Sequence, residues 1–173
     1  MTEPARDHRR DLIDVYDRAL PDVYGYLHHR CRNRATAEDL TAETFMAAVT
    51  SIERGALERV SIAWLMGIAR HKLIDHWRAA DRRLEIEDPP EPDDPWEAEL
   101  DAFVARDVLD QLGGHHRAAL TLRYVDDLPV PDVARTLGRT VHATEALLVR
   151  ARRAFRRRYE DLHPDLAGEE VTR

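Results

Sequence analysis

Cysteine is almost missing from this 173-residue chain: Cys31 stands alone. No intramolecular disulfide can form, so the expected setting is reducing and cytoplasmic. Only seven glycines are present, too few for the many turns of an all-β fold, whereas the abundant alanine, leucine and arginine favour helix. Long apolar runs are also missing. The longest, Ile62 to Ala69, breaks at Arg70 and is far too short to cross a bilayer. Arg9 and Arg10 are not followed by the uninterrupted apolar core of a signal peptide, so neither a targeting segment nor membrane insertion is expected.

What is present is charge, and it is segregated. The net charge of −7 looks unfavourable for binding nucleic acid. Between Leu84 and Asp101, however, stand Glu85, Glu87, Asp88, Glu91, Asp93, Asp94, Glu97, Glu99 and Asp101, with no Lys or Arg. Without those nine acids the remainder carries +2, so the distribution says more than the total. Pro89, Pro90, Pro92 and Pro95 fall in the same stretch. Such a segment cannot bury a core and reads as a stiff, self-repelling linker. The expected architecture is all-α: a helical domain over 1–83, an acidic proline-rich linker over 84–101, and a second helical domain over 102–173.

In the first domain, Ile13, Tyr16 and Leu20 recur at helical spacing, and Pro21 suits the first turn of a second helix. Val23, Leu27 and Cys31 then make a buried stripe, which casts Cys31 as a small apolar residue. Adjacent His28 and His29 diverge on a helix, so metal ligation is not expected. Thr36 opens the next helix with a capping-box pattern; Leu40, Phe45, Val49 and Ile52 form its inner stripe. Glu38, Asp39 and Glu43 leave an acidic half, either a solvated helix end or a docking face for a basic partner. Ser61 caps a helix from Ile62 to about Arg83. Leu65, Ala69 and Leu73 share its inner side; His71, Asp75, Arg78 and Arg82 share the other, flanked by Arg70 and Lys72. Trp64 and Trp77 read as core anchors. His71 and Asp75 lack a third ligand, so no metal is assigned.

In the second domain, Leu100, Phe103, Val104, Val108 and Leu112 predict a helix ended by Gly113-Gly114. His115 to Tyr124 predicts another, with Ala118 and Leu122 inside. Asp126 to Pro129 is a turn. Val130 to Leu137 and a helix capped by Thr140 then form a helix-turn-helix, with Gly138 supplying the left-handed turn residue. On the second of these helices Thr144, Leu148, Ala151 and Phe155 face inward. His142, Ala146, Val149 and Arg153 face outward, with Glu145 and Arg150 at the edges. Arg152, Arg156, Arg157 and Arg158 extend the positive charge. Outward residues near a helix N-terminus facing base edges, with basic groups on phosphates, are what a recognition helix needs. A basic surface helix without a nucleic-acid partner, or one that binds RNA, has the same composition.

Four stretches in order, AEDLTAETFMAA (Ala37 to Ala48), AWLMGIARHKLIDHWR (Ala63 to Arg78), ALTLRYVDDLPVPDVARTLG (Ala119 to Gly138) and VRARRAF (Val149 to Phe155), with the acidic linker between the second and third, resemble the extracytoplasmic-function (ECF) class of bacterial sigma-70-type sigma factors. The resemblance covers about Asp11 to Tyr159. It implies docking on core RNA polymerase through Glu38, Asp39, Glu43, Thr44 and Phe45. It implies contact with the minus-ten promoter element through Arg70, His71, Lys72, Asp75, Arg78, Arg82 and Arg83. It implies contact with the minus-thirty-five element through Arg139, Thr140, His142, Ala143, Glu145, Ala146, Val149, Arg150 and Arg153. Promoter DNA and core polymerase are the implied partners, and an anti-sigma protein is a candidate third, since such proteins commonly hold family members inactive. The linker resembles a segment threaded near the RNA path of the polymerase.

This chain departs from the family pattern at His71, where Asn is frequent, and at Glu145 and Leu147, where basic residues are usual. Ala146 replaces a common Ser, and Pro129 and Pro131 replace a capping Ser and an acid. Glu145 can accept from cytosine N4, and Ala146 or Val149 can touch a thymine methyl. No nucleophile–base pair, phosphate-cradling glycine loop or metal cluster is evident, so neither an enzyme activity nor a cofactor is expected. The rival readings are a stand-alone helix-turn-helix regulator and an interaction adaptor that binds no DNA.

Overall fold

A computed structural model of the chain describes residues 3–55, 59–81 and 102–162, together with Pro164. Among them there is no strand, and the all-α class expected from the sequence is what is found. The helices are α1 (Glu3–Cys31), α2 (Arg34–Glu53), α3 (Ile62–Asp81), α4 (Ala102–Asp110), α5 (Gly114–Leu120), α6 (Val130–Leu137) and α7 (Val141–Leu162). The acidic linker lies outside the described residues. The chain forms two compact units, Met1–Asp75 and His76–Arg173. The boundary falls within α3, whose residues 76–81 belong to the second unit.

In the first unit α1 packs along α2 across a short connection. Arg32 takes a left-handed φ of 53°, and the Asn33 side chain accepts from the Thr36 amide at 3.0 Å. Asn33 is thus the N-cap of α2, not Thr36 as the capping-box pattern predicts. The helix starts at Arg34, so Thr36 already lies inside its first turn and Asn33 holds the capping position. Nor does Pro21 begin a new helix: α1 runs through it without interruption. Pro21 is exposed, while Ala19, Val23 and Leu27 are fully buried on the opposite side. Burial there offsets the one amide hydrogen bond that proline forfeits.

The inner stripe of α1 is Leu12, Ala19, Val23 and Leu27, whereas Ile13 is 71% and Tyr16 41% exposed. Cys31 is half-buried rather than a core residue. From α2 the buried residues are Ala37, Leu40, Thr41, Thr44, Ala48 and Ile52. Phe45 is half-buried and Val49 exposed, so half of the predicted α2 stripe is replaced by small residues. Thr41 and Thr44 can be buried because each hydroxyl donates to the carbonyl four residues back, at 2.7 Å, leaving no polar group unmade. In α3 the prediction holds: Leu65, Ala69 and Leu73 are buried, and the Ser61 hydroxyl accepts from the Trp64 amide at 3.2 Å.

The second unit is built on Val108, Leu120, Ala151 and Phe155, with Val104, Ala105, Leu109, Leu112 and Tyr159 around them. Arg117 pairs with Asp110 across α4 and α5. Gly113 and Gly114 do not close α4. Gly113 is the N-cap of α5 and Gly114 its first residue, while α4 ends earlier, at Asp110. The reason for glycine is steric: a Cβ on Gly114 would lie 2.5 Å from the Trp77 carbonyl oxygen. After α5 the helix loosens into one π turn, Thr121–Val125, closed by the Asp126 amide donating to the Thr121 carbonyl at 2.9 Å. Ala118 and Leu122 are buried as predicted.

Candidate nucleic-acid interface

The helix-turn-helix is assembled from local rules. Pro129 is the N-cap of α6, and Pro131 lies in its first turn, where the missing amide has no partner to lose. Val133, Ala134 and Leu137 bury the inner side of α6. Gly138 ends it at φ 64° and ψ 38°, a left-handed geometry in which a β-carbon is strained. The Thr140 hydroxyl then accepts from the Ala143 amide at 3.2 Å, starting α7 at the expected residue. Thr144, Leu148, Ala151 and Phe155 are buried, as the wheel predicts.

The outer side of α7 presents His142, Glu145, Ala146 and Arg150 to solvent, with Ala143, Val149 and Arg153 half-buried beside them; Arg139 and Thr140 are exposed in the turn. Leu147 corrects the expectation that it stood among the outward or edge positions. It is 3% exposed and packs inward next to Leu148, so its difference from the family pattern affects packing and not an exposed contact. Arg152 donates to the Tyr124 hydroxyl at 3.2 Å, which ties α7 to the π turn.

On α2 of the first unit, Glu38, Asp39, Ala42 and Glu43 are exposed. Glu38 pairs with Arg34 one turn earlier at 2.7 Å, and Glu43 with Lys72 of α3 at 3.1 Å. Asp39 has no ion-pair partner among the described residues. Beside these acids stand exposed apolar side chains: Met46 at 70%, together with Val49, Ile13 and Tyr16. The Tyr16 ring meets that of Phe45 at 4.8 Å between centroids. Thr44, one of the expected docking residues, is fully buried with its hydroxyl committed to Leu40.

Along α3, His71 and Asp75 are exposed, whereas Arg70, Lys72 and Arg78 are half-buried; Arg82 and Arg83 lie outside the described residues. The Arg70 guanidinium is 5.9 Å from the Tyr26 ring centroid, and Arg30 lies over the same ring at 3.8 Å. The Tyr26–Arg30 contact was open to sequence reasoning, being four residues apart on one helix; the approach of Arg70 from α3 carried no local signal. The same is true of the Glu43–Lys72 pair, which joins residues expected to serve two different partners. Among the described residues, no group of three or more His, Cys, Asp or Glu gathers as metal ligands, and no helix is long and apolar enough to cross a membrane.

The described residues, all helical but for short turns, set an acidic, partly apolar face in one unit and a well-formed helix-turn-helix in the other, an arrangement that suits a DNA-binding transcription protein. Comparison with known proteins makes this specific. Residues 15–83 match the family profile described as Sigma-70 region 2, and residues 103–155 that described as Sigma-70, region 4. The chain is 32% identical to the RNA polymerase sigma factor CarQ of Myxococcus xanthus, over 96% of this chain and 95% of that protein. It is 30% identical to the ECF RNA polymerase sigma factor SigL of Mycobacterium tuberculosis (strain ATCC 25618 / H37Rv), over 86% and 88%. To the ECF RNA polymerase sigma factor BldN of Streptomyces coelicolor it is 32% identical over 85% of this chain, but spans only 60% of that longer protein. The fold resembles that of the sigma factor RpoE from Bartonella quintana, solved with the anti-sigma factor NepR, with a TM-score of 0.54 at 21% identity over 95% and 99% of the two chains.

The chain belongs to the sigma-70 family of RNA polymerase sigma factors, in its ECF class. As a member it binds core RNA polymerase and directs promoter-specific transcription initiation.

Proposed function

We propose the following division of labour along the chain. Residues 1–83 act as the region that grips core polymerase and the minus-ten element, 84–101 as the acidic linker, and 102–173 as the minus-thirty-five reader. The observation that carries this is the outer side of α7. Its exposed His142, Glu145 and Ala146 precede a run of arginines and are aimed by the Gly138 turn and the Thr140 cap. Base-edge groups come first along the helix and phosphate-binding groups after them, which suits a major groove entered by the helix N-terminus. Arg139 and Arg150 supply grip; His142, Glu145, Ala146 and Val149 supply choice.

In the first unit, Glu38, Asp39 and Glu43 beside Met46 and Phe45 suit a partner that is basic with an apolar centre. His71, Asp75 and Arg70 line α3 for the separating strands, whose unpaired bases can stack and whose phosphates need cations. The chain has no reaction of its own: melting draws on binding energy, with duplex phosphates anchored by one unit and unpaired bases held by the other. The setting is cytoplasmic. An anti-sigma protein that covers these faces accounts for how such a factor is kept silent, as NepR is found with its sigma factor.

Run-off transcription with purified core polymerase tests the whole reading. Promoter-dependent transcripts are expected only with both proteins present. Duplex binding without any effect on core enzyme marks a stand-alone regulator instead; core binding with every α7 arginine dispensable marks an adaptor.

A further inference from the structure

The last turn of α3 is bound into the second unit by contacts that its role on minus-ten DNA would not require. Arg78 donates through Nη2 to the carbonyl of Leu137, the final residue of α6, at 2.8 Å. Three residues on, Asp81 accepts from the His115 amide in the first turn of α5 at 3.0 Å. A cation thus meets the carbonyl end of one helix and an anion the amide end of another, each the charge that its helix end favours. Trp77, just before Arg78, is 6% exposed, with the Arg117 guanidinium 4.4 Å from its ring centroid and Gly114 pressed against its carbonyl.

The fit is incomplete at one atom. Arg78 Nε is buried with no hydrogen-bond partner among the described residues. An unmade buried donor costs free energy, whereas a phosphate can take a guanidinium in a two-bond fork.

We propose that Trp77, Arg78 and Asp81 form a clasp on the helix-turn-helix unit, and that this clasp withholds Arg78 from nucleic acid until it opens. Arg78 Nη2 is held by Leu137 and Nε beside it is buried, so the Nε–Nη2 edge can take a phosphate fork only after the Leu137 bond opens. The switch rests on the minus-ten role proposed above for Arg78, while the clasp itself is a property of the free protein.

Gly114→Ala tests it without altering a charge, because the added methyl would meet the Trp77 carbonyl oxygen at 2.5 Å and Asp81 Oδ2 at 3.0 Å, both parts of the clasp. The full chain is used with Trp64→Phe and Trp96→Phe, leaving Trp77 as the sole indole. In this background Gly114→Ala should shift Trp77 emission to the red, towards that of a solvated indole, with helicity retained by circular dichroism. Binding of a single-stranded (dT)20 oligonucleotide should strengthen by roughly fivefold, the size of one freed charge pair, and adding Arg78→Ala should cancel the gain. Asp81→Asn, which keeps the shape and removes the anionic cap, serves as the second variant and should give the same red shift. Unshifted Trp77 emission in both folded variants overturns the clasp. A red shift with unchanged (dT)20 binding overturns the withholding of Arg78. Failure of run-off transcription beside a shifted Trp77 removes the promoter reading and leaves the clasp standing.

Discussion

Two faces, one in each unit, expose different kinds of surface. In the first, large apolar side chains stand in water next to acids: Met46, Val49, Ile13 and Tyr16 beside Glu38, Asp39 and Glu43. On the outer side of α7 the groups from His142 to Arg150 that face solvent are small or polar, His142, Glu145, Ala146 and Arg150, while exposed apolar side chains of this unit, Tyr124, Val125, Val141 and Leu162, lie outside that stretch. Apolar area left in water gains when another protein covers it. A duplex offers a highly charged backbone and hydrogen-bonding base edges, which reward cations and small side chains that allow close approach. The contrast between these two faces supports the proposed reading of a protein partner for the α2 face and a duplex for α7 without reference to relatives.

The comparison can be broken at its foundations first. Phe155→Ala removes a 3% exposed ring from the core under α7 and should destabilise the second unit by about 3–4 kcal/mol. Urea denaturation followed by amide exchange should show that loss confined to the second unit, with α1 and α2 protected as before; equal loss in both would mean the chain unfolds as a single body. Next in size, reversing charge with Asp39→Lys and Glu43→Lys should weaken core polymerase binding by on the order of tenfold to a hundredfold with helicity intact. Because Glu43 also pairs with Lys72, Glu43→Gln alone is the control for a local shift of α3. Unchanged affinity would place the docking face elsewhere.

A smaller effect sharpens the duplex side. Arg150→Ala should flatten the logarithmic salt dependence of duplex binding by roughly one ion; an unaltered slope removes Arg150 from the phosphate contacts. The smallest effect concerns pH. Burial chiefly, and then Arg78 and Arg139, hold the His115 imidazole below its ordinary value, against the pull of Asp81. The folded chain therefore binds this proton less readily than the unfolded chain. Its contribution to stability is complete above about pH 6.5, diminishes as pH falls through that value towards the lower folded one, and is then constant. Thermal unfolding between pH 7.5 and 5 should show this loss, and His115→Gln should remove this part of the dependence.

Much of this was legible in the residues, and the exceptions share a cause. The turn at Gly138, the Thr140 cap, the Ser61 cap and the placement of Thr144, Leu148, Ala151 and Phe155 inside α7 follow from local pattern, whereas Leu147, expected at an outward or edge position, is buried. Along α1 periodicity points to Ile13 and Tyr16, which are apolar yet lie outside, a choice made by how α2 packs. Local rules favour a helix start at Pro21, while the burial that carries α1 through it comes from the opposite side. Gly113-Gly114 has the pattern of a stop because glycine commonly ends helices; here it begins one, for a reason that lies 37 residues earlier in the chain, at Trp77. Of the candidate site, the exposed α7 residues and the acids of α2 could be found on a helical wheel. The burial of Thr44, the Glu43–Lys72 pair and the capping of Leu137 by Arg78 could not, since each depends on a second helix brought alongside.

Gly114 offers a rule for reading other sequences. No residue with a β-carbon fits there while the Trp77 carbonyl keeps its place, and the obstacle is backbone, which no rotamer change can relieve. A related chain with a side chain at the corresponding position must hold the end of α3 and the start of α5 further apart, so one letter of sequence sorts chains that share this close approach from those that do not.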